Sequence, residues 1–161
     1  MLYFFTMSVK FAFVTCARTM SGFLRSAGLP AGDGGTPVVF CPDGGGGRPG
    51  DVDADRISVT GLDVTSFAHW AAMNGRAPRI AVNTGRCFAG NAVIFGLADI
   101  TVATTGSNIG LGGPAMIEGG GLGVFDPRDV GPLSVQHASG VVDIVVADEA
   151  GAVALPTKYR A

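Results

Sequence analysis

Three glycine-rich segments are the part of the sequence best suited to chemistry. They span residues 43–51, 84–91 and 110–123, and each follows or adjoins an apolar run typical of a buried strand. A glycine has no Cβ, so such a loop lets backbone N–H groups approach a ligand closely and bind an oxyanion. Tight turns alone are the other explanation, and they account for one such cluster more readily than for three.

Two familiar phosphate-binding motifs are absent from these segments. Residues 43–51 end in Pro49-Gly50-Asp51, where a phosphate loop would end in Gly-Lys-Ser or Gly-Lys-Thr. A G-x-G-x-x-G motif that opens a helix after a strand, with an acidic residue about 20 positions later, is also missing. Neither a nucleoside triphosphate nor a dinucleotide is therefore predicted as a ligand.

Side chains that could act as a nucleophile or a base are isolated from one another. His69 falls in a predicted helix and His137 in a polar turn, so we expect both to be packing or surface residues. Cys87 adjoins the central glycine segment, yet an isolated cysteine is typical of a small buried apolar residue. The carboxylates do not pair either. The chemistry that remains needs only oriented backbone amides.

Composition indicates one compact domain with a neutral surface. The chain has 161 residues, of which 26 are glycine, 47% are hydrophobic and 15% are charged, with a formal net charge of −2. No run of lysine or arginine is present, which argues against a nucleic acid or a membrane surface as the partner. Residues 1–17 are apolar but interrupted by Lys10, which disfavours a signal peptide or an anchor.

The cysteines fit neither a disulfide framework nor a zinc site. Cys16, Cys41 and Cys87 lie far apart in the sequence, outside any C-x-x-C pair, and the two histidines are isolated as well. We therefore expect no metal, and we expect a reducing, cytoplasmic location.

Strands and helices alternate along the chain, which predicts an α/β architecture. Buried strands are predicted at residues 36–41, 79–82, 99–103 and 141–147. Helices are predicted at residues 62–74 and 92–97, and a last helix begins near Asp148 and Glu149. Pro156 is expected to end that helix early. Residues 28–35 are predicted to form a linker or a long turn.

Five stretches of the sequence carry a resemblance to a known family. Residues 85–92 and 98–103 resemble the crotonase-like superfamily, in which a strand, a glycine turn, a helix and an Asp-Ile strand follow one another. Residues 109–123, 130–132 and 139–149 extend this into a likeness to the carboxyltransferase subunit of biotin-dependent acyl-CoA carboxylases, in its N-terminal domain. The implied fold is a single crotonase-like domain of repeated ββα units, which leaves open whether the chain is truncated.

The resemblance also implies the domain limits. It covers roughly residues 36–155, so we expect an N-terminal-type carboxyltransferase domain at 36–161 after a poorly matched segment and linker at 1–35.

The activity implied by this resemblance is carboxyl transfer from carboxybiotin to the α-carbon of an acyl-CoA, of the acetyl-CoA or propionyl-CoA type, through an enolate. Biotin would be carried by a separate carrier protein or domain and not bound tightly by this chain. The implied partners are a biotin carboxylase, a biotin carboxyl carrier and a second crotonase-like domain or subunit, in an oligomer.

Site residues follow from the same resemblance. The backbone N–H groups of Gly90 and Asn91 would form the oxyanion hole, with Asn91 in place of a glycine common in the family. Residues 43–47 stand where the family carries an Asp-Ser-Gly-Gly-like loop. The substrate-binding residues would be Gly44, Gly45, Gly46, Gly47, Phe88, Ala89, Gly112, Gly113 and Pro114.

Two alternative functions remain. Enoyl-CoA hydratases and isomerases of the superfamily carry a catalytic glutamate where this chain has Val93, which makes that activity the weaker alternative. A truncated, non-catalytic remnant or an assembly module is the other, because the sequence corresponds to the first of the family's two crotonase-like domains.

Overall fold

The computed structural model describes residues 3–8, 37–44 and 65–158. Within these ranges the strands are β1 (Tyr3–Ser8), β2 (Val38–Asp43), β3 (Arg79–Asn83), β4 (Arg86–Phe88), β5 (Ile100–Thr104), β6 (Asn108–Gly110) and β7 (Ile144–Val146). The helices of the same ranges are α1 (Thr65–Ala72), α2 (Gly90–Gly96), α3 (Pro114–Gly119), α4 (Leu133–Ala138) and α5 (Glu149–Lys158).

The strands form two parallel sheets. The larger has five strands in the order β1-β2-β3-β5-β7, and the smaller pairs β4 with β6. In two successive ββα units, β3-β4-α2 and β5-β6-α3, the first strand joins the larger sheet and the second joins the smaller one. The predicted α/β class and the repeated ββα units are therefore confirmed.

Apolar side chains cover both faces of the larger sheet. Alternate residues of β2 point to opposite faces, so Val38 and Phe40 pack with Trp70 of α1, whereas Val39 packs with Ala152 of α5. A third apolar cluster joins the sheets to α2; its buried members are Ala81, Cys87, Ala92, Phe95, Ala103, Ile109 and Val142. All five residues of β3 are buried, as expected for a central parallel strand.

An ion pair between the buried Arg79 and the more exposed Asp99 ties the start of β3 to the start of β5. The Arg79 guanidinium donates to the Asp99 carboxylate at 2.6 and 3.1 Å and to the Trp70 carbonyl at 3.1 Å. Arg79 is only 5% exposed. The hydrogen bond from Arg79 holds the pKa of Asp99 below its ordinary value. Asp99 thereby neutralises a charge that the fold buries.

The observed elements differ from the sequence predictions in several places. The strand predicted at 141–147 is observed only as β7 (Ile144–Val146), and helices α3 and α4 were not predicted. His137 lies in helix α4 and not in a turn. Helix α5 continues through Pro156 to Lys158, because a proline removes one intrahelical donor without preventing the next residues from remaining helical. Strands β4 and β6 were not predicted, since each has three residues and no apolar alternation. Residues 28–35, the predicted linker, lie outside the described residues.

The helices within the described ranges are too short or too polar to cross a membrane.

Candidate active site

A strained turn at Ala89 connects β4 to α2. Its φ is 56° and its ψ is −128°, and Ala89 is the one non-glycine residue with positive φ in the part of the chain that the structure describes. Such a backbone conformation is normal for glycine and costs an L-residue about 1–3 kcal/mol. Strain of this kind persists only where the surrounding structure imposes it, and it concentrates at functional sites.

Hydrogen bonds from three directions impose the conformation of Ala89. Its N–H donates to the Gly110 carbonyl at 3.0 Å. Its carbonyl accepts from the N–H groups of Ala92 at 3.0 Å and Val93 at 3.2 Å, which begin helix α2. One residue earlier, the Phe88 N–H donates to the Gly44 carbonyl at 3.1 Å. The turn is therefore fixed between the first and the third glycine-rich segments.

The backbone N–H of Gly90 has no hydrogen-bond acceptor within this turn. Gly90 is the first residue of α2, and the Ala89 side chain before it makes no capping hydrogen bond. Among the described residues no acceptor is paired with the Gly90 N–H, although Gly90 is buried. The first N–H groups of a helix have no intrahelical acceptor, so this donor is available to a ligand oxygen.

Gly44 lies directly beside this turn. Its N–H donates to the Arg86 carbonyl at 2.8 Å, and its carbonyl accepts the Phe88 N–H described above. Both backbone groups of Gly44 therefore bond to β4. A Cβ on Gly44 would collide with Nδ2 of Asn91. Gly45, Gly46 and Gly47, also predicted to bind substrate, lie outside the described residues.

Gly112, Gly113 and Pro114 lie at the same end of the small sheet. Strands β4 and β6 are parallel with Phe88 opposite Gly110, so the residues that follow both strands emerge at the same edge. Gly113 is buried and extended, and its carbonyl begins α3 by accepting the Met116 N–H at 3.0 Å. Gly44, the turn at Ala89 and the residues that follow Gly110 therefore adjoin the same end of the small sheet.

Asn83 holds the opposite end of the small sheet, where β4 and β6 begin, and was not predicted from the sequence. Its side chain is fully buried, and its Oδ1 accepts the Gly85 N–H at 3.1 Å while its Nδ2 donates to the Asn108 carbonyl at 3.3 Å. The Asn83 carbonyl also accepts the Ser107 hydroxyl at 3.1 Å. A single asparagine thus holds the end of β3 and the starts of β4 and β6 together. Its position directly after a buried strand was the available signal.

Two further amides attach β6 to the segment that follows α3. The Asn108 Nδ2 donates to the carbonyls of Arg128 and Val130, each at 2.9 Å. The Gln136 Nε2 of α4 donates to the Ile109 carbonyl at 2.8 Å. The Ile109 N–H donates to the Gly131 carbonyl at 2.8 Å. These bonds fix the strand that carries Gly110, the acceptor for Ala89.

The histidines and cysteines lie in packing positions. His69 lies in α1, as predicted, and the His137 Nδ1 is 2.9 Å from the Val142 carbonyl. Cys87 is completely buried in the cluster between the sheets, as expected for an apolar cysteine. Burial raises the pKa of the Cys41 thiol. The described residues contain no group of three or more potential metal-ligating side chains. Cys16 lies outside them.

Comparison with known proteins gives the following similarities. A family described as "Carboxyl transferase domain" matches residues 12–161. The chain is 31% identical over 143 residues to the methylcrotonoyl-CoA carboxylase beta chain of Dictyostelium discoideum, covering 85% of this chain and 24% of that one. The chain thus spans about a quarter of the curated relative it matches.

Two solved structures show the same arrangement of elements. A single-chain, multi-domain long-chain acyl-CoA carboxylase is similar with a TM-score of 0.71 and 46% identity, over 91% of this chain and 13% of that chain. The beta subunit of geranyl-CoA carboxylase from P. aeruginosa is similar with a TM-score of 0.67 and 20% identity, over 89% of this chain and 26% of that chain. The second likeness concerns the fold alone.

Proposed function

The chain belongs to the carboxyl transferase domain family and has its crotonase-like fold, and on that premise we propose that it forms the acyl-CoA half of a carboxyltransferase. The enzyme would be the carboxyltransferase component of a biotin-dependent acyl-CoA carboxylase, which transfers a carboxyl group from carboxybiotin to the α-carbon of an acyl-CoA. The observation that carries this proposal is the Gly90 N–H, which has no acceptor among the described residues and directly follows the strained residue Ala89.

Oriented backbone donors suit the enolate chemistry of such a transfer. Removing the α-proton of a thioester moves negative charge onto the carbonyl oxygen. In the proposal, that oxygen accepts hydrogen bonds from the N–H groups of Gly90 and Asn91. These hydrogen bonds stabilise the oxygen more strongly in the transition state, where it carries more negative charge, than in the ground state. Each such donor contributes about 10²–10³ in rate. The turn supplies these donors without reorganisation, because hydrogen bonds to Gly44 and Gly110 already fix it.

The same proposal gives the other glycine-edge residues a substrate-binding role. They are Gly44, Gly45, Gly46, Gly47, Phe88, Ala89, Gly112, Gly113 and Pro114. Support comes from the shared edge, since the described members all adjoin β4 or follow β6. The Phe88 ring is buried beneath this edge, and its Cδ1 lies 3.5 Å from the position that a Cβ on Gly110 would take.

The identity of the acyl group is a more specific part of the proposal. An acetyl-CoA or propionyl-CoA substrate is the expectation from the sequence, whereas the relatives are named for methylcrotonoyl-CoA, long-chain acyl-CoA and geranyl-CoA. The relative with 46% identity is the long-chain enzyme. Affinities measured for a series of substrates from acetyl-CoA to a long-chain acyl-CoA therefore decide between the short acyl groups expected from the sequence and the acyl groups for which the relatives are named.

We propose no biotin site on the described residues, because the proposal assigns the donors of the turn at Ala89 to the thioester oxygen. We therefore derive no step through biotin on this chain. Biotin, its carboxylase, its carrier and a second crotonase-like domain are proposed as separate components of an oligomeric, cytoplasmic assembly.

A crotonase-type hydratase or isomerase gains no support. Val93 of α2, at the position of that family's catalytic glutamate, is an apolar side chain that is 37% exposed. Valine has no group that can donate or accept a proton.

Separate calorimetric titrations test the proposal on the 161-residue chain. The ligands are acetyl-CoA, propionyl-CoA, a long-chain acyl-CoA, free CoA and biotin. We expect weak binding of at least one acyl-CoA, with higher affinity than for free CoA, and no binding of biotin. Binding of biotin without binding of any acyl-CoA would overturn the assignment of this chain to the acyl-CoA half.

A further inference from the structure

Two backbone hydrogen bonds fix the position of Gly44 in the fold. It is buried, its N–H donates to the Arg86 carbonyl at 2.8 Å, and its carbonyl accepts the Phe88 N–H at 3.1 Å. A residue held by both backbone groups cannot shift without losing at least one of these bonds. The position of its α-carbon is therefore set by strand β4.

The Asn91 side chain lies directly over that α-carbon. A Cβ built on Gly44 would collide with Nδ2 of Asn91. Asn91 is 7% exposed, so its carboxamide is enclosed and has little room to rotate away. Positions 44 and 91 consequently share one space, which only one of them can fill with a side chain.

We propose that the Asn91 side chain is a positioning residue that locks the start of the first glycine segment against the turn carrying the Gly90 N–H. The role belongs to the carboxamide and is separate from the role of the Asn91 backbone N–H. Its value for catalysis rests on the proposed function, because Gly90 is the proposed donor. The lock itself is a property of the fold and can be measured without any substrate.

A double-mutant cycle on the 161-residue chain measures the lock. The variants are Gly44→Ala, Asn91→Ala and the double variant, and the readout is the midpoint of thermal unfolding. We expect Gly44→Ala to lower Tm by about 5 °C. The same change in the Asn91→Ala background should lower Tm by much less, because the carboxamide that it would meet is gone. Additive shifts would overturn the proposal.

Gly96→Ala is the matched control for adding a methyl group. Gly96 lies in α2 with φ in the ordinary range, and a Cβ there meets no heavy atom within 4 Å. We expect no loss in Tm for this variant. A loss as large as that of Gly44→Ala would show that the Gly44 result does not report the contact with Asn91.

The amide resonance of Gly90 separates positioning from simple stabilisation. In ¹H–¹⁵N spectra, Gly44→Ala should move the Gly90 resonance when Asn91 is present and leave it unmoved in the Asn91→Ala background. A purely structural role would change stability without this dependence. An equal shift of the Gly90 resonance in both backgrounds, or no shift in either, would overturn the proposal.

Hydrogen exchange in Asn91→Ala keeps the proposal testable if Gly44→Ala does not fold. We expect the amides of Gly44 and Phe88 to exchange about 10-fold faster, whereas the Thr101 amide, bonded to Asp143 at 2.8 Å, should be unchanged. A uniform change at all three amides would contradict a local lock. Failure of acyl-CoA binding with the lock intact would instead count against the proposed function alone.

Discussion

The backbone N–H of Ala89 donates a 3.0 Å hydrogen bond to the carbonyl oxygen of Gly110, which joins the central glycine segment to the third one. This bond runs between the ends of the parallel strands β4 and β6, just past their last residue pair, Phe88 and Gly110. It holds an alanine at a φ of 56°, where a glycine would sit without strain. The strained backbone of the proposed active site is thus sustained by the small sheet.

Replacing Ala89 with glycine should stabilise the protein. Relief of about 1–3 kcal/mol of strain outweighs the roughly 0.4–1 kcal/mol that a glycine costs through the unfolded chain. We expect a net gain of about 1 kcal/mol, or about 3 °C in Tm, by thermal unfolding. Ala68→Gly in the exposed middle of α1 is the control and should lose about 1 kcal/mol. Equal losses in both variants would show that Ala89 is not strained.

Gly131 should tolerate substitution far less well than Gly140. Both have positive φ, 57° and 80°, but a Cβ on Gly131 would collide with the Ile109 carbonyl, whereas a Cβ on Gly140 meets nothing within 4 Å. We expect Gly140→Ala to cost about 1–2 kcal/mol from backbone strain alone. Gly131→Ala should cost about 3 kcal/mol or more in urea unfolding, because backbone atoms must move. Equal costs would contradict the close approach of this segment to β6.

The ion pair of Arg79 and Asp99 should make stability depend on pH. The Asp99 pKa is lowered in the folded protein, so its contribution is complete above about pH 5 and is lost as pH falls through the folded pKa. Asp99→Asn should therefore cost about 1–2 kcal/mol at pH 7, allowing for partial exposure, and progressively less toward acid. Urea unfolding of both proteins across about pH 2–7 measures this.

Asp126→Asn is the control for that pH series. Asp126 pairs with Arg128, but both side chains are well exposed, at 43% and 82%. The Arg128 hydrogen bonds lower the pKa of Asp126 as well, but solvent screens an exposed pair, so a smaller change than for Asp99→Asn is expected at each pH. A pH-independent cost for Asp99→Asn would contradict the role given to the buried guanidinium.

The central strands of the larger sheet could be predicted from the sequence, but the small sheet could not. Continuous apolar runs predicted the strands at 79–82 and 99–103, because a strand buried on both faces needs apolar side chains throughout. Strands β4 and β6 are defined by backbone pairing of three residues each, which leaves no periodic pattern to read. The geometry of Ala89 was equally unreadable, since an alanine does not signal positive φ.

Some residues around the candidate site could be predicted from the sequence and others could not. Gly90 and Asn91 were predicted from a family pattern, and the structure brings Asn91 next to Gly44. Asn83, Asn108 and Gln136 were not predicted, because each donates to a backbone carbonyl at least 20 residues away in the sequence. Which carbonyl such a side chain reaches is decided only by the tertiary fold.

Backbone changes at the proposed oxyanion hole should matter more than side-chain changes. Gly90→Pro deletes one donor, so in the assembled carboxylase we expect kcat to fall by about 10²–10³ or more. Asn91→Gly keeps the N–H and removes only the positioning side chain, so activity should remain within a few-fold. Steady-state rates with circular dichroism as a folding control check both. Abolished turnover in folded Asn91→Gly would give the catalytic role to its side chain.

Titration of the ¹⁵N-labelled chain with an acyl-CoA, monitored at the Gly90 amide, tests the central claim most directly. Hydrogen bonding of the thioester oxygen should move the Gly90 proton resonance downfield in proportion to occupancy, and free CoA and biotin should not produce this shift. If acyl-CoA binds by calorimetry and the Gly90 resonance stays in place, or if biotin alone moves it, the turn at Ala89 does not hold the thioester.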